Sequence, residues 1–138
     1  MKKVIKTQFD LEAPLQYVWK LIKTGERWED WFSILSGSKV EGRKRTCELY
    51  NGDCLDEIFT VSDAEKTFIY HVNQQQTFPA EDIVGIIRLQ EKGKKTRMYW
   101  SVEMTVSSDE VFSELKPQIE QMYAEAANTL NELAMPTV

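Results

Sequence analysis

Between about Ser36 and Ser107, apolar side chains recur at every second residue in runs divided by turn signals, and the chain after them carries one apolar stripe at helical spacing. The punctuation is Gly42, Asn51-Gly52-Asp53, Ser62-Asp63, Pro79 and Lys92-Gly93. Short alternating runs joined by tight turns specify an antiparallel meander, here of about six strands. The stripe consists of Val111, Leu115, Ile119, Met122, Ala126, Leu130 and Leu133, three or four residues apart. One stripe needs one apolar surface, and the concave face of the meander is the surface available. Ser107-Ser108-Asp109-Glu110 supplies a helix start, and Pro117 inside the pattern is expected to kink the helix or restart it.

Ahead of the meander, residues 3–11 alternate with Ile5, Thr7, Phe9 and Leu11 on one face and read as a first strand. Pro14 suits the first turn of a helix carrying Leu15, Val18, Trp19 and Ile22, which Gly25 ends. A second short helix or turn gathers Trp28, Trp31 and Phe32 on one side. These rings read as a core plug; the competing reading, a stacking platform for nucleic acid, lacks a basic surface.

Composition sets the bounds. The 138 residues, 42% of them hydrophobic, fit one domain over 1–138, with a net charge of −5 that gives no nucleic-acid footprint and no strong attraction to anionic membranes. Gly42-Arg43-Lys44-Arg45 reads as a solvated strand end. Lys6 and Gln8 interrupt the beginning of the chain before a secretory core can form, and no run is long enough to insert in a membrane, so the expected location is cytoplasmic. Cys47 and Cys54 are too few for a disulfide framework, and with a single histidine no structural zinc site is expected.

Within the meander, Glu57 stands alone as an ionisable group on a face shared with Leu55, Phe59 and Val61. A carboxylate buried there must be met by water, a donor or a ligand, so something hollow or polar should lie before it. Register decides its neighbours. A two-residue turn at Asn51-Gly52 would set Leu49 against Cys54; a three-residue loop with a glycine bulge pairs Leu49 with Leu55 and Cys47 with Glu57, and keeps apolar with apolar. That register also puts Cys47 and Cys54 on opposite faces. Continued alternation gives an inner face of Phe68, Tyr70 and Val72, then Ile83, Gly85, Ile87 and Leu89, then Met98, Trp100, Val102 and Met104, with His71 outside. Ile58, Ile69, Val84, Ile86 and Tyr99 fall on the outer face, where Ile58, Ile69, Ile86 and Tyr99 could form a patch for a two-fold homodimer; Arg88 and Arg97 could instead cover it.

The order of strand, two short helices, six strands and a long helix resembles the helix-grip fold, and the likeness extends to residues. Leu11-Glu12-Ala13-Pro14 followed by Val18-Trp19 is similar to the opening of START-like proteins, Trp28-Glu29-Asp30-Trp31-Phe32 to their aromatic second helix, and Val40-Glu41-Gly42 to their second strand. Asn51-Gly52-Asp53 through Glu57, then Asp63 and Tyr70, resemble the middle hairpins of the polyketide cyclase/dehydrase-like branch, and Thr96 through Trp100 its penultimate element. The resemblance implies an α+β fold in which a curved seven-stranded antiparallel sheet wraps a long C-terminal helix. It also implies that a small hydrophobic molecule, lipid-, aromatic- or polyketide-like, is gripped between the two. In hormone-binding relatives a cavity glutamate matches Glu57 in position, whereas the lysine such receptors use near the first helices has no clear counterpart here.

Three functions are therefore weighed. The first is ligand binding or transport, without a cofactor, in a pocket lined by Cys47, Leu49, Leu55, Glu57, Phe59, Tyr70, Ile83, Gly85, Ile87, Met98 and Trp100 and closed by Leu115, Ile119 and Met122. The same side chains could equally fill the interior; Gly85, which removes a side chain from the middle of the inner face, points toward a cavity. The second is a cyclase or dehydratase with Glu57 as general acid or base, helped by Tyr70. The third is regulation of a protein partner such as a chaperone, which would require a large exposed apolar patch.

Overall fold

The computed structural model describes residues 1–136. Strand β1 (Lys2–Leu11) leads through Pro14 into helix α1 (Leu15–Ile22) and a single 3-10 turn (Trp28–Asp30). The meander follows as β2 (Leu35–Glu41), β3 (Lys44–Leu49), β4 (Cys54–Ser62), β5 (Thr67–Gln74), β6 (Glu81–Lys92) and β7 (Lys95–Thr105), and helix α2 (Asp109–Ala134) closes the chain. All strands join one antiparallel seven-stranded sheet in the order β1-β7-β6-β5-β4-β3-β2, the helix-grip arrangement. β1 crosses back to pair with the last strand, so the start of β1 meets the end of β7: the Met1 ammonium donates to the Val106 carbonyl at 2.8 Å.

Helix α2 starts where the capping residues place it. Ser108 is its N-cap, with Oγ accepting from the Val111 N–H at 3.2 Å, and Asp109 and Glu110 lie at the positive end of the helix dipole. The helix runs through Pro117 without restarting. Pro117 lies on the exposed side, where the carbonyl it leaves unbonded meets water rather than the core. The buried side is set by Leu115, Ile119, Tyr123, Ala126, Ala127, Leu130 and Ala134; Leu133, expected in the stripe, is 50% exposed.

Inner and outer faces follow the two-residue period. Phe68, Tyr70, Ile87, Leu89, Met98, Trp100, Val102 and Met104 are buried, and His71 is exposed on the outside. Val61 departs from the pattern at 40% exposure, close to the turn that ends β4. On the outer face Ile58 is 42% and Ile86 36% exposed, while the Arg88 guanidinium lies 4.6 Å over the Tyr99 ring and covers it.

The β3–β4 register differs from the expected one. Cys47 lies opposite Leu55 and Arg45 opposite Glu57. The hairpin closes early: the Leu49 N–H donates to the Asp53 carbonyl at 2.9 Å and the Gly52 N–H to the Leu49 carbonyl at 3.0 Å, around Tyr50-Asn51-Gly52 with Gly52 at φ 91°. Asn51 Oδ1 accepts from the Asp53 N–H at 2.9 Å, the local bond that makes asparagine a turn former. A slide of an even number of residues leaves every side chain on its predicted face and changes only what it faces across the ladder.

Candidate functional site

Arg45 shares the inward face of Cys47 and Leu49, and the observed register sets it opposite Glu57. Far from being a solvated strand end, its side chain is 1% exposed, beside a Glu57 side chain that is 2% exposed. Arg45 Nε donates to Glu57 Oε1 at 2.7 Å and Arg45 Nη1 to the Gly25 carbonyl at 3.2 Å. Gly25, which ends α1, can present that carbonyl because it holds φ 73° and because a Cβ there would already lie 3.2 Å from Phe59 Cζ. The guanidinium also lies 3.9 Å above the Trp28 ring and 5.2 Å from the Phe68 ring, so its faces meet aromatic π-clouds while its edge is hydrogen-bonded. Taken together the two side chains are a neutral pair, which is how ionised groups persist in an apolar interior. The Cys47 thiol donates to the same Glu57 oxygen at 3.3 Å; burial, and next the Glu57 charge, push its pKa far above the ordinary thiol range, so it is no nucleophile.

Beside this pair lies a second polar group. Trp100 Nε1 on β7 donates to the Tyr70 hydroxyl on β5 at 3.0 Å, and the Tyr70 hydroxyl lies 3.2 Å from that of Tyr123 on α2. The Tyr123 ring stacks on Trp100 with centroids 3.7 Å apart and planes 8° from parallel. Burial raises the Tyr70 pKa to about 12 despite the two hydrogen bonds that lower it, and raises that of Tyr123 well above the ordinary phenol value. Both phenols are therefore neutral hydrogen-bonding groups at any physiological pH.

These two polar groups form part of the wall of a cavity of about 50 Å³ between the sheet and the first half of α2. The rest of the wall is apolar: Leu55, Ile83, Leu115, Ile119 and Met122 line it together with Cys47, Glu57 and Tyr70, as expected, joined by Trp28, Phe32, Ile34, Leu35, Arg45, Val72, Phe78, Ala80, Val102, Met104 and Tyr123. Ile34, Val72, Phe78, Ile83 and Met122 are half-buried and form its rim. The volume holds a few waters but falls below the roughly 300 Å³ at which drug-sized ligand pockets begin, so a ligand larger than that must part the rim.

Leu49, Phe59, Gly85, Ile87, Met98 and Trp100, expected on the wall, are buried but do not line it. Phe59 stacks on Phe68 at 5.0 Å, and Ile87 and Met98 are fully enclosed. Gly85 is no hollow: a Cβ there would stand 1.9 Å from Tyr70 Cζ, because the tyrosine from the neighbouring strand lies over the glycine. Of the residues missed, Val72, Val102 and Met104 already belong to the inner-face alternation, and Tyr123 follows Met122 on the same helix. Arg45 lies on the alternation of Cys47 and Leu49, and only its pairing with Glu57 waited on the register.

Among the described residues no helix is long and apolar enough to cross a membrane. No curated protein matches the chain. Solved structures share its fold: XoxI from Bacillus cereus (TM-score 0.82, 22% identity, over 94% of this chain and 93% of that one), and the Zhui aromatase/cyclase from Streptomyces sp. R1128 (0.80, 12%, 97% and 94%). Ginseng major latex-like protein 151 from Panax ginseng is similar as well (0.77, 12%, 98% and 99%). With the helix-grip architecture and its cavity in place, the match of residues 2–134 to the family described as polyketide cyclase / dehydrase and lipid transport shows that the chain belongs to that family.

Proposed function

We propose that this protein binds or carries a small hydrophobic molecule, lipid-, aromatic- or polyketide-like, in the cavity between the sheet and α2. The observation that carries the reading is the make-up of the cavity wall: apolar side chains from both layers surround a few polar groups already tied to one another, the usual form of a small-molecule site. Family membership points the same way. The acid–base alternative is weaker on this geometry, because Glu57 Oε1 accepts from both Arg45 and Cys47 and the carboxylate serves as counter-ion to a buried guanidinium.

The test is titration with N-phenyl-1-naphthylamine, a neutral apolar fluorophore, in the parent and in Met122→Trp. The bulkier indole at a half-buried rim position should obstruct the cavity while leaving the core intact. The expected result is saturable one-to-one binding in the parent, weakened at least tenfold in the variant, a loss of about 1.4 kcal/mol. No saturable binding by the parent, or equal binding by both proteins, overturns the proposal.

A further inference from the structure

The Trp100, Tyr70 and Tyr123 side chains contain one more hydrogen-bond donor than their own contacts use. They carry three polar hydrogens, one on the indole and one on each phenol, and make two hydrogen bonds: Trp100 Nε1 to the Tyr70 hydroxyl at 3.0 Å, and one between the two hydroxyls at 3.2 Å. If Tyr70 donates in the second bond, the Tyr123 hydrogen is uncommitted; if Tyr123 donates, the Tyr70 hydrogen is. Both tyrosines line the cavity, and among the described residues neither hydroxyl has another partner. A buried donor left unpaired is unfavourable, so the site favours an occupant that supplies an acceptor.

The chemistry of the surroundings narrows that acceptor. The wall is otherwise apolar, and the nearest charges, Arg45 and Glu57, neutralise each other with Nε to Oε1 at 2.7 Å. An anionic ligand would bring a charge into this interior with no free counter-ion, whereas a carbonyl oxygen asks only for a neutral donor. Resting on the ligand-binding reading above, we propose that the Tyr70–Tyr123 hydroxyl pair is a donor subsite for the carbonyl oxygen of a neutral, largely apolar ligand, with Trp100 holding Tyr70 in place.

The proton count makes an unusual demand on mutants. Tyr123→Phe removes one hydroxyl and one hydrogen bond, whereas Tyr70→Phe removes one hydroxyl and two hydrogen bonds and also frees the Trp100 N–H; in each the surviving hydroxyl keeps a hydrogen to give, and only the double substitution leaves no phenol donor. Acetophenone and α-methylstyrene are nearly the same shape, C=O replacing C=CH₂, and serve as probes by titration followed in amide NMR spectra. Acetophenone binding should weaken less than threefold in Tyr70→Phe and in Tyr123→Phe and about tenfold in the double variant, while α-methylstyrene binding changes little in any of them. In the parent alone, so that no variant need fold, the carbonyl stretch of bound acetophenone should lie below its value in hexane.

Undiminished acetophenone binding in the double variant assigns the donor elsewhere and overturns the subsite. A bound carbonyl stretch equal to that in hexane overturns it too. In either case binding of α-methylstyrene leaves the apolar cavity standing as a ligand site, whereas failure of both probes to bind removes the ligand reading and the subsite together.

Discussion

Arg45 and Glu57 show how the meaning of one side chain changes with the one across the ladder. By itself Glu57 is a carboxylate stranded on an apolar face; opposite Arg45, with Nε to Oε1 at 2.7 Å and the guanidinium 3.9 Å over Trp28, it is half of a neutral buried unit. The free energy of such a unit is asymmetric. Removing one partner leaves a desolvated charge, whereas replacing both with apolar groups can be almost neutral. Arg45→Met should therefore destabilise the fold by about 3 to 5 kcal/mol, and Arg45→Met combined with Glu57→Leu by clearly less than the single change. Urea denaturation of the four proteins of the cycle measures this directly. A double variant at least as damaged as the single one would mean that the pair gives net stabilisation of its own.

At the scale of elements, what could be read from the sequence is what depends on period alone. The inner faces of β5, β6 and β7 were legible because a two-residue alternation assigns faces without knowledge of any partner strand. The start of α2 was legible because Ser108 acts on its own first turn. What could not be read depends on pairing between strands: the alternation of Cys47 and Leu49 carries Arg45 inward, but the Glu57 partner that neutralises it there is set only by how β3 meets β4, and Gly85 looked like a gap until β5 laid Tyr70 across it. The site was legible to the same degree, since Glu57, Tyr70 and the α2 residues that meet them came from periodicity, while their neighbours came from pairing. Pro117 does not restart the helix, and its place inside an unbroken α2 has a free-energy consequence. The helix continues through that position with one hydrogen bond missing on the exposed side, so Pro117→Ala restores that bond without touching the core. The expected gain is up to about 3 kcal/mol, seen as a higher urea midpoint with an unchanged slope; no gain would mean that the helix around Pro117 is already held by its packing.

For the molecule as a whole, the decisive relation is between the sheet, the helix it grips and the small space left between them. A cavity of about 50 Å³ with a rim of half-buried side chains is close to a finished core, so a ligand of ordinary size enters only as the rim parts, while the polar groups at its wall stay tied together. Such a ligand binds the folded protein and has no site on the unfolded chain, whose cavity no longer exists. Linkage then requires the fold to be stabilised in step with occupancy: N-phenyl-1-naphthylamine at about a hundredfold its Kd should add about 2.7 kcal/mol to the unfolding free energy. The comparison that locates the effect is Met122→Trp at the same probe concentration, because rim obstruction should abolish most of the gain whereas a probe on the outer sheet face, near Ile58 and Ile86, would stabilise both proteins equally. Urea unfolding with and without probe reads both arms, and an equal gain in the two proteins would move the binding site from the interior to the surface of the sheet.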